Sequence, residues 1–303
     1  MRTALGRLTL RTPVMMASGT FGYGAELAGK IDYSPIGAVV TKTVTKQPRK
    51  GNPQPRLLET SCGLINSIGL HNPGIERFLT EYLPLLRGLG CAVIVSVAGD
   101  TEEEVSYLAD RLGRQRVDGI ELNLSCPNLG KSRMPAEEPE TAFRFVRAAK
   151  SAAGATPVFA KLSPNVTDIC AAAVACEKAG ADGLVLINTV KALAVDIDAR
   201  RVLRGGYSGP GIKPVGLRAV YEAFRAVSTP IIGCGGIASG QDALEYLLCG
   251  ARCVAVGSAG FAHPGLAREI VAVIRQYLRR HRLRLRDIVG LLHEGTAGRP
   301  ARG

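Results

Sequence analysis

The sequence predicts an α/β fold of the (β/α)₈ (TIM) barrel class, built as a single domain with long loops inserted at one end. Three observations support this prediction. Short apolar runs recur eight times along the 303 residues, most of them alternate with helical patterns, and no linker-like stretch divides the chain. We expect the barrel to occupy residues 1–282 and a partly disordered C-terminal extension to occupy residues 283–303.

The predicted strands are continuous apolar runs, which are typical of parallel strands covered on both faces. The third, CAVIVSV, is the clearest case, because valine and isoleucine dominate it and no charge interrupts it. The last two strands run into glycine-rich turns, and most of the others end beside polar residues. In chain order the strands are 14–18 (VMMAS), 38–42 (AVVTK), 91–97 (CAVIVSV), 117–124 (VDGIELNL), 157–162 (PVFAKL), 183–188 (GLVLIN), 229–234 (TPIIGC) and 252–257 (RCVAVG).

The predicted helices fill the intervals between strands, and several carry recognisable end signals. Asp100 or Thr101 precedes three glutamates and Ser239 precedes further polar residues, which favours a helix start at each place. Gly180 and Gly250 follow helical patterns where a glycine commonly ends a helix. In chain order the helices are expected at about 73–88, 101–114, 138–153, 166–180, 215–227, 240–249 and 263–282.

Two segments, 43–72 and 189–214, break this alternation. Both are rich in glycine, proline and basic residues, and both follow the carboxyl ends of strands, where barrel enzymes build their active sites. We therefore interpret them as active-site loops. Eight parallel strands could also form an open doubly wound sheet, but no G-x-G-x-x-G follows the first strand.

Charge and cysteine spacing limit the possible functions. The formal charge is +12, and an arginine-rich run at 279–286 contributes to it. This run has no interleaved aromatic residues, so a solvated helix end or a face for an acidic partner is favoured over nucleic-acid binding. The eight cysteines lack iron–sulfur or zinc spacing, so we expect mostly buried thiols and no metal. No apolar stretch is long enough for a membrane span and no signal peptide is evident, which predicts a cytoplasmic protein.

Glycine-containing pairs lie at the ends of the last two predicted strands. The backbone N–H groups of Gly235-Gly236 and Gly257-Ser258 could approach a phosphate closely, because glycine has no Cβ atom to block the approach. Barrels of this class often bind phosphate after these two strands. The two pairs together therefore predict a phosphate-bearing cofactor.

Charged and nucleophilic residues follow other strands. Lys42 and Lys161 end strands that should be buried, so each is expected to face an anion or to extend to the barrel rim. Cys126 could act as a base if its pKa is tuned, or could simply pack. Asparagines that offer a donor and an acceptor would suit a pyrimidine-like ring. These asparagines are Asn66, Asn123, Asn128 and Asn188.

Ten blocks at these strand ends, in order from about residue 5 to about residue 275, resemble the dihydroorotate dehydrogenase family. The resemblance is to the class 1 form and, within it, to the type B catalytic subunit. The blocks are ASGTFG (17–22), TKT (41–43), GNPQPR (51–56), NSIGLHNPG (66–74), ELNLSCPN (121–128), KLSPN (161–165), INT (187–189), SGPGIKP (208–214), GCGGI (233–237) and AVGS (255–258).

The resemblance implies oxidation of dihydroorotate to orotate in pyrimidine (UMP) biosynthesis, with FMN as cofactor. Cys126 would take the C5 proton of dihydroorotate while a hydride moves from C6 to the flavin N5. The positions that match FMN contacts are Ser18, Lys42, Thr43, Ser96, Asn123, Lys161, Ile187, Gly209, Gly235, Gly236, Gly257 and Ser258. Those that match substrate contacts are Lys42, Asn66, Ser67, Ile68, Gly69, Leu70, Asn123, Asn128, Asn188 and Thr189.

The chain departs from the family pattern at two places near the expected site. Ser96 stands where the family usually has an asparagine close to the flavin, and its shorter side chain reaches less far. The loop at 129–140, LGKSRMPAEEPE, departs from the usual glycine- and phenylalanine-containing sequence of a loop that covers the active site.

The resemblance to type B enzymes implies a partner subunit. A homodimer of this chain would assemble with a second subunit that carries FAD and a [2Fe–2S] cluster and passes electrons to NAD. The chain has neither cluster-type cysteine spacing nor a dinucleotide fingerprint, which agrees with that need. The class 2 enzymes have an N-terminal helical extension and a serine base, and this chain has neither. Three alternatives remain. They are the type A homodimer, which uses fumarate, another FMN-dependent barrel that acts on a uracil-like ring, and a non-enzymatic binding module, which would be colourless.

Overall fold

The computed structural model describes residues 1–23, 25–27, 29–125 and 134–293. Strands appear in each region where the sequence predicts one, and also in the N-terminal segment and the two long loops. In chain order they are β1 (Thr3–Leu5), β2 (Leu8–Leu10), β3 (Val14–Met16), β4 (Ala38–Val40), β5 (Leu57–Thr60), β6 (Gly63–Asn66), β7 (Ala92–Val97), β8 (Gly119–Asn123), β9 (Val158–Lys161), β10 (Gly183–Leu186), β11 (Val190–Asp196), β12 (Arg201–Ser208), β13 (Ile231–Cys234) and β14 (Ala251–Val256).

A closed barrel of parallel strands forms the centre of the molecule. Its strands follow one another in the order β3-β4-β7-β8-β9-β10-β13-β14, and β14 pairs with β3 to close the ring. Each of the eight predicted runs supplies one of these strands, so the predicted barrel is confirmed. Because every strand is parallel to its neighbours, all the carboxyl ends lie at the same end of the barrel.

The predicted helices are present around the barrel. Thr101 and Ser239 cap two of them, where their hydroxyls accept the N–H of Glu104 and of Asp242. No helix in the described part of the chain is both long and apolar enough to cross a bilayer. In chain order the helices are α1 (Ile75–Arg77), α2 (Leu83–Leu86), α3 (Glu102–Arg114), α4 (Pro139–Ala152), α5 (Ile169–Lys178), α6 (Lys213–Ala226), α7 (Gly240–Cys249), α8 (Ala259–Ala262), α9 (Leu266–His281) and α10 (Leu285–Ile288).

A π-helical turn at Phe78–Tyr82 joins α1 to α2, so the single helix expected near 73–88 is irregular. Pro84 explains the irregularity, because it has no N–H to donate to the carbonyl of Thr80. The N–H of Leu83 bonds instead to the carbonyl of Phe78, five residues back.

A short N-terminal hairpin closes the amino-terminal end of the barrel. Strands β1 and β2 pair antiparallel, and their fully buried Leu5 and Leu10 join the apolar cluster inside the barrel. Met15, Ile94 and Phe159 belong to the same cluster. This end is therefore filled with hydrocarbon.

The two long loops form a second sheet, which the sequence analysis did not predict. Strands β5, β6, β11 and β12 pair antiparallel in the order β11-β12-β6-β5. Glycines allow the close approach: a Cβ on Gly205 would lie 2.1 Å from the Asn66 carbonyl oxygen, and one on Gly206 would lie 2.2 Å from the Thr189 hydroxyl. The sheet joins residues that are far apart in the chain.

Packing continues past residue 282, where the sequence analysis ended the barrel. Leu285 and Ile288 of α10 are buried in the main core, and His293 stacks on Tyr221 at 4.1 Å between ring centroids. The extension is therefore part of the packed structure at least to residue 293. The rest of it, 294–303, lies outside the described residues.

Candidate active site

A cavity of about 1100 Å³ opens at the carboxyl-terminal end of the barrel. Its walls come from the ends of the barrel strands and from the sheet formed by the two long loops. Most of the predicted site residues line this one cavity. They are Ser18, Lys42, Thr43, Asn66, Ser67, Ile68, Gly69, Leu70, Asn123, Lys161, Ile187, Asn188, Thr189, Gly209, Gly235, Gly236, Gly257 and Ser258.

Strand periodicity explains why the two lysines point inward. Successive side chains of a strand face opposite ways, so Lys161 shares the inner face of β9 with Phe159, and Lys42 follows Val40 by two residues. Phe159 and Val40 lie in the apolar barrel interior, whereas the lysines occupy the next layer up and line the cavity. The inner surface therefore changes from apolar to charged within two residues.

Lys42 lies half-buried in the cavity wall. Burial is the largest cause that lowers the pKa of its ammonium group, the nearby Arg56 guanidinium lowers it further, and Glu26 opposes both. The site thus disfavours this positive charge more than water does. An anionic group bound beside Lys42 would offset that cost.

Ser96, a predicted flavin contact, is not among the described residues that line the cavity. The β7–β8 register places Ser96 opposite Glu121, two residues before Asn123, so it lies one layer below the cavity floor. Its hydroxyl contacts the Thr43 hydroxyl at 3.0 Å and donates to Glu121 at 3.1 Å.

Glu121 is a functional candidate that the sequence reasoning missed. Its carboxylate is only 2% exposed, and its Oε1 atom lies 4.0 Å from Lys161 Nζ. The signal was present in the sequence, since an acidic residue two positions before Asn123 on a central strand must face the barrel interior. Its partner, however, lies on a different strand.

Amide side chains form a connected group on one side of the cavity. Asn188 donates to Asn123 at 3.4 Å, and Asn123 donates to the Thr43 hydroxyl at 3.3 Å. Asn165 donates to the Thr189 carbonyl oxygen at 3.0 Å and so fixes the turn after β10. The sequence analysis did not single out Asn165.

The 66–70 run forms another part of the cavity wall. The Asn66 side chain donates to the Gly206 carbonyl oxygen at 3.1 Å, which ties β6 to β12. Asn52 donates to the Ser67 hydroxyl at 2.9 Å, and a Cβ on Gly69 would lie 2.6 Å from the Asn52 side chain. Further residues of the two long segments line the cavity but were not predicted as contacts. They include Arg49, Asn52, Lys191 and Arg204.

The Gly235-Gly236 and Gly257-Ser258 turns form a backbone cradle in another part of the cavity wall. Within the described chain, the N–H groups of Gly236, Gly257 and Ser258 donate no hydrogen bond to another residue. A Cβ on Gly257 would meet no protein atom within 4 Å, so the space beside it belongs to the cavity. Free N–H groups around such a space are a suitable donor set for a phosphate.

Two predicted residues, Cys126 and Asn128, lie outside the described residues. The described residues that flank this gap, Ser125 and Met134, both line the cavity. Ser125 is held there, since its hydroxyl donates to the Lys161 carbonyl oxygen at 3.2 Å and its N–H donates to Asn123 at 3.2 Å. Cys126 follows Ser125 directly in the sequence.

A sequence model described as dihydroorotate dehydrogenase matches residues 1–278. The chain belongs to the dihydroorotate dehydrogenase family. This result confirms the family that the ten sequence blocks indicated. Membership in the dihydroorotate dehydrogenase family makes the chain an oxidoreductase and implies a flavin cofactor.

Curated relatives agree with this dihydroorotate dehydrogenase assignment. A protein of Thermoanaerobacter pseudethanolicus named dihydroorotate dehydrogenase B (NAD(+)), catalytic subunit, is 46% identical over 298 residues, which cover 96% of this chain and 98% of that protein. A protein of Desulforudis audaxviator with the same name is 46% identical over 297 residues, covering 96% of each chain. The predicted type B resemblance is therefore confirmed.

A solved structure supports the fold. The crystal structure of DHODH from Eimeria tenella in complex with ferulenol superposes with a TM-score of 0.81 at 24% identity, covering 96% of this chain and 88% of that one. At this identity the likeness concerns the barrel architecture alone.

Proposed function

We propose that this chain is the cytoplasmic, FMN-binding catalytic subunit of a type B dihydroorotate dehydrogenase, which oxidises (S)-dihydroorotate to orotate. One observation carries the proposal: residues predicted separately as cofactor and substrate contacts, from strand ends far apart in the sequence, line a single cavity. The cavity volume of about 1100 Å³ can accommodate a flavin and a small ring together.

The chain's residues fit FMN. The N–H groups of Gly236, Gly257 and Ser258 would hold the phosphate, and Ser18, Thr43 and Lys161 would contact the ring system. The remaining proposed cofactor contacts are Lys42, Asn123, Ile187, Gly209 and Gly235. Bound FMN would supply a two-electron acceptor beside the substrate.

The asparagine group and the 66–70 run would bind the substrate. Asn66, Asn123, Asn188 and Thr189 offer amide and hydroxyl groups that complement the ring amides of dihydroorotate. Lys42 would pair with the substrate carboxylate, and this pairing would stabilise an ammonium group that burial destabilises. Ser67, Ile68, Gly69 and Leu70 would close the wall around the ring, and Asn128 would add a further amide.

Cys126 would act as the general base that removes the C5 proton of the substrate. Ser125 supports this role, because it lies in the cavity wall immediately before Cys126 and is held by two hydrogen bonds. A thiolate near a substrate can take a proton efficiently if its pKa lies close to the working pH.

Electrons would leave through a partner. The relatives are named as catalytic subunits of an NAD(+)-linked enzyme, which implies a second, electron-transferring subunit. We propose that this second subunit carries FAD and a [2Fe–2S] cluster. A homodimer of this chain with two such subunits would form a heterotetramer.

The test is anaerobic mixing of the FMN-loaded chain with dihydroorotate. We expect the flavin absorbance to bleach and orotate to form in equal amount. NAD should then reoxidise the flavin only when the partner subunit is present, and fumarate should not reoxidise it. Reoxidation by fumarate alone would instead establish the type A form. A flavin that dihydroorotate does not reduce, but a uracil-containing compound does, would establish a different FMN-dependent barrel.

A further inference from the structure

A buried carboxylate lies directly below the cavity floor and has no place in the mechanism above. Glu121 lies on β8, two residues before Asn123, and is only 2% exposed. It does not line the cavity, so it touches neither cofactor nor substrate. An ionised carboxylate inside a barrel is costly unless other groups compensate for its lost hydration.

Two described side chains provide that compensation. The Ser96 hydroxyl donates to Glu121 Oε1 at 3.1 Å, and Lys161 Nζ lies 4.0 Å from the same oxygen. Both partners are buried, with Lys161 only 5% exposed. The 4.0 Å separation is an ion-pair distance and too long for a hydrogen bond, so Glu121 acts on the Lys161 ammonium through its charge.

The carboxylate is also linked to a second cavity residue. Ser96 contacts Thr43 at 3.0 Å, and Asn123 donates to the Thr43 hydroxyl at 3.3 Å. Glu121 thus lies beneath both Lys161 and Thr43, two of the residues that line the cavity. A charge in this position acts on any ligand that Lys161 contacts, because the buried surroundings screen it weakly.

The charge balance matters for a flavin in particular. A reduced flavin ring carries negative charge, so an isolated ammonium beside it would favour reduction. A carboxylate 4.0 Å from that ammonium offsets part of this effect. The pair therefore fixes how strongly the cavity favours the reduced form.

We infer that Glu121 is a positioning residue that lowers the reduction potential of the bound flavin, by holding the Lys161 ammonium in place and offsetting part of its charge. The inference rests on the proposed function, since it needs a flavin in the cavity. It assigns a role in the reaction to a residue that contacts neither substrate nor cofactor.

The test is the midpoint potential of the bound flavin in Glu121→Gln, measured by equilibration with a reference dye. The amide keeps the size of the side chain and removes its charge. We expect the potential to rise by about 30 mV, which is a tenfold change in the ratio of reduced to oxidised flavin for a two-electron couple. Lys161→Met should shift the potential in the opposite direction.

The chain offers a matched control. Asp182 also pairs with a lysine, with its Oδ2 atom 2.6 Å from Lys150 Nζ, but it precedes β10 at the amino-terminal end of the barrel. Asp182→Asn removes the same charge far from the cavity. This control variant should be less stable but should keep the wild-type flavin potential. An equal rise in flavin potential in Glu121→Gln and Asp182→Asn would contradict the inference.

A second variant covers the case in which Glu121→Gln does not fold. Glu121→Asp keeps the charge but withdraws it by about one carbon–carbon bond, roughly 1.5 Å, so the potential should rise by a smaller amount. An unchanged or lower potential in either folded variant would overturn the role of Glu121 alone. A wild-type chain that binds no FMN would overturn the proposed function, and this inference with it.

Discussion

The two ends of the barrel are built from the same eight strands but have opposite character. At the amino-terminal end, Leu5 and Leu10 of the β1–β2 hairpin pack in an apolar cluster. At the carboxyl-terminal end the same strands finish in lysines, asparagines and glycines around a cavity.

The inner face of a strand changes from apolar to charged within two residues, as from Phe159 to Lys161 on β9. Polar and charged groups at the upper end leave donors and acceptors directed into open space, which costs stability unless a ligand satisfies them. The lower end contributes the hydrocarbon burial that supports this arrangement. Substitutions at the lower end should therefore change stability, and substitutions at the upper end should change chemistry.

Cysteine replacements at the two ends should give the largest contrast. Cys126→Ser should retain FMN but slow flavin reduction by dihydroorotate by about 10²- to 10⁴-fold near neutral pH, because a serine hydroxyl is a poorer base. Anaerobic stopped-flow absorbance measures this rate. Cys91→Ser is the matched control, because Cys91 lies at the start of β7 and burial raises the pKa of its thiol to about 11. Normal reduction in Cys126→Ser would remove Cys126 from the mechanism.

Truncating the hairpin should affect stability only. Leu10 is 1% exposed, so Leu10→Ala should lower the free energy of unfolding by about 2–5 kcal/mol while the folded protein binds FMN normally. Urea unfolding and an FMN titration measure the two quantities. Thr9→Ala, on the exposed side of the same strand, should change neither. A large loss of FMN affinity in folded Leu10→Ala would mean that the two ends are coupled.

A single methyl group at the phosphate cradle should affect binding only. A Cβ at Gly257 would meet no protein atom within 4 Å, so Gly257→Ala should fold with nearly normal stability. The methyl would occupy phosphate space and weaken FMN binding by roughly tenfold, or about 1.4 kcal/mol. Gly236→Ala provides the contrast, since its φ is +70° and its Cβ would lie 2.5 Å from the Lys213 backbone nitrogen, so it should also lose stability. Unchanged FMN affinity in Gly257→Ala would place the phosphate elsewhere.

The smallest expected effect is a shift in pH dependence. The pKa of Lys42 is lowered, so its charge is lost at a lower pH than that of an exposed lysine, and the KM for dihydroorotate should rise as the pH increases through that pKa. Arg56→Met removes a positive charge that lowers the pKa of Lys42, so the rise in KM should move to higher pH. Glu26→Gln removes the opposing carboxylate and should move it to lower pH. KM profiles from neutral to alkaline pH that coincide for all three proteins would argue against the Lys42–carboxylate pairing.

Local pattern in the sequence was sufficient to predict most of the barrel. The apolar runs of the barrel strands, the helix caps at Thr101 and Ser239, and the polar residues at strand ends are each visible within a few neighbouring residues. Because parallel strands bring all their carboxyl ends together, Lys42, Lys161 and the glycine pairs could be assigned to one site before their distances were known.

The tertiary structure decided which of these residues meet. Ser96 lies below the floor because of the β7–β8 register, and the sheet of the two long loops joins Asn66 to Gly206, 140 residues apart in the chain. Glu121 acquires its partners from two other strands, since Ser96 lies 25 residues before it and Lys161 follows on β9. Register and barrel closure depend on the packing of the whole core, so no local pattern contains them.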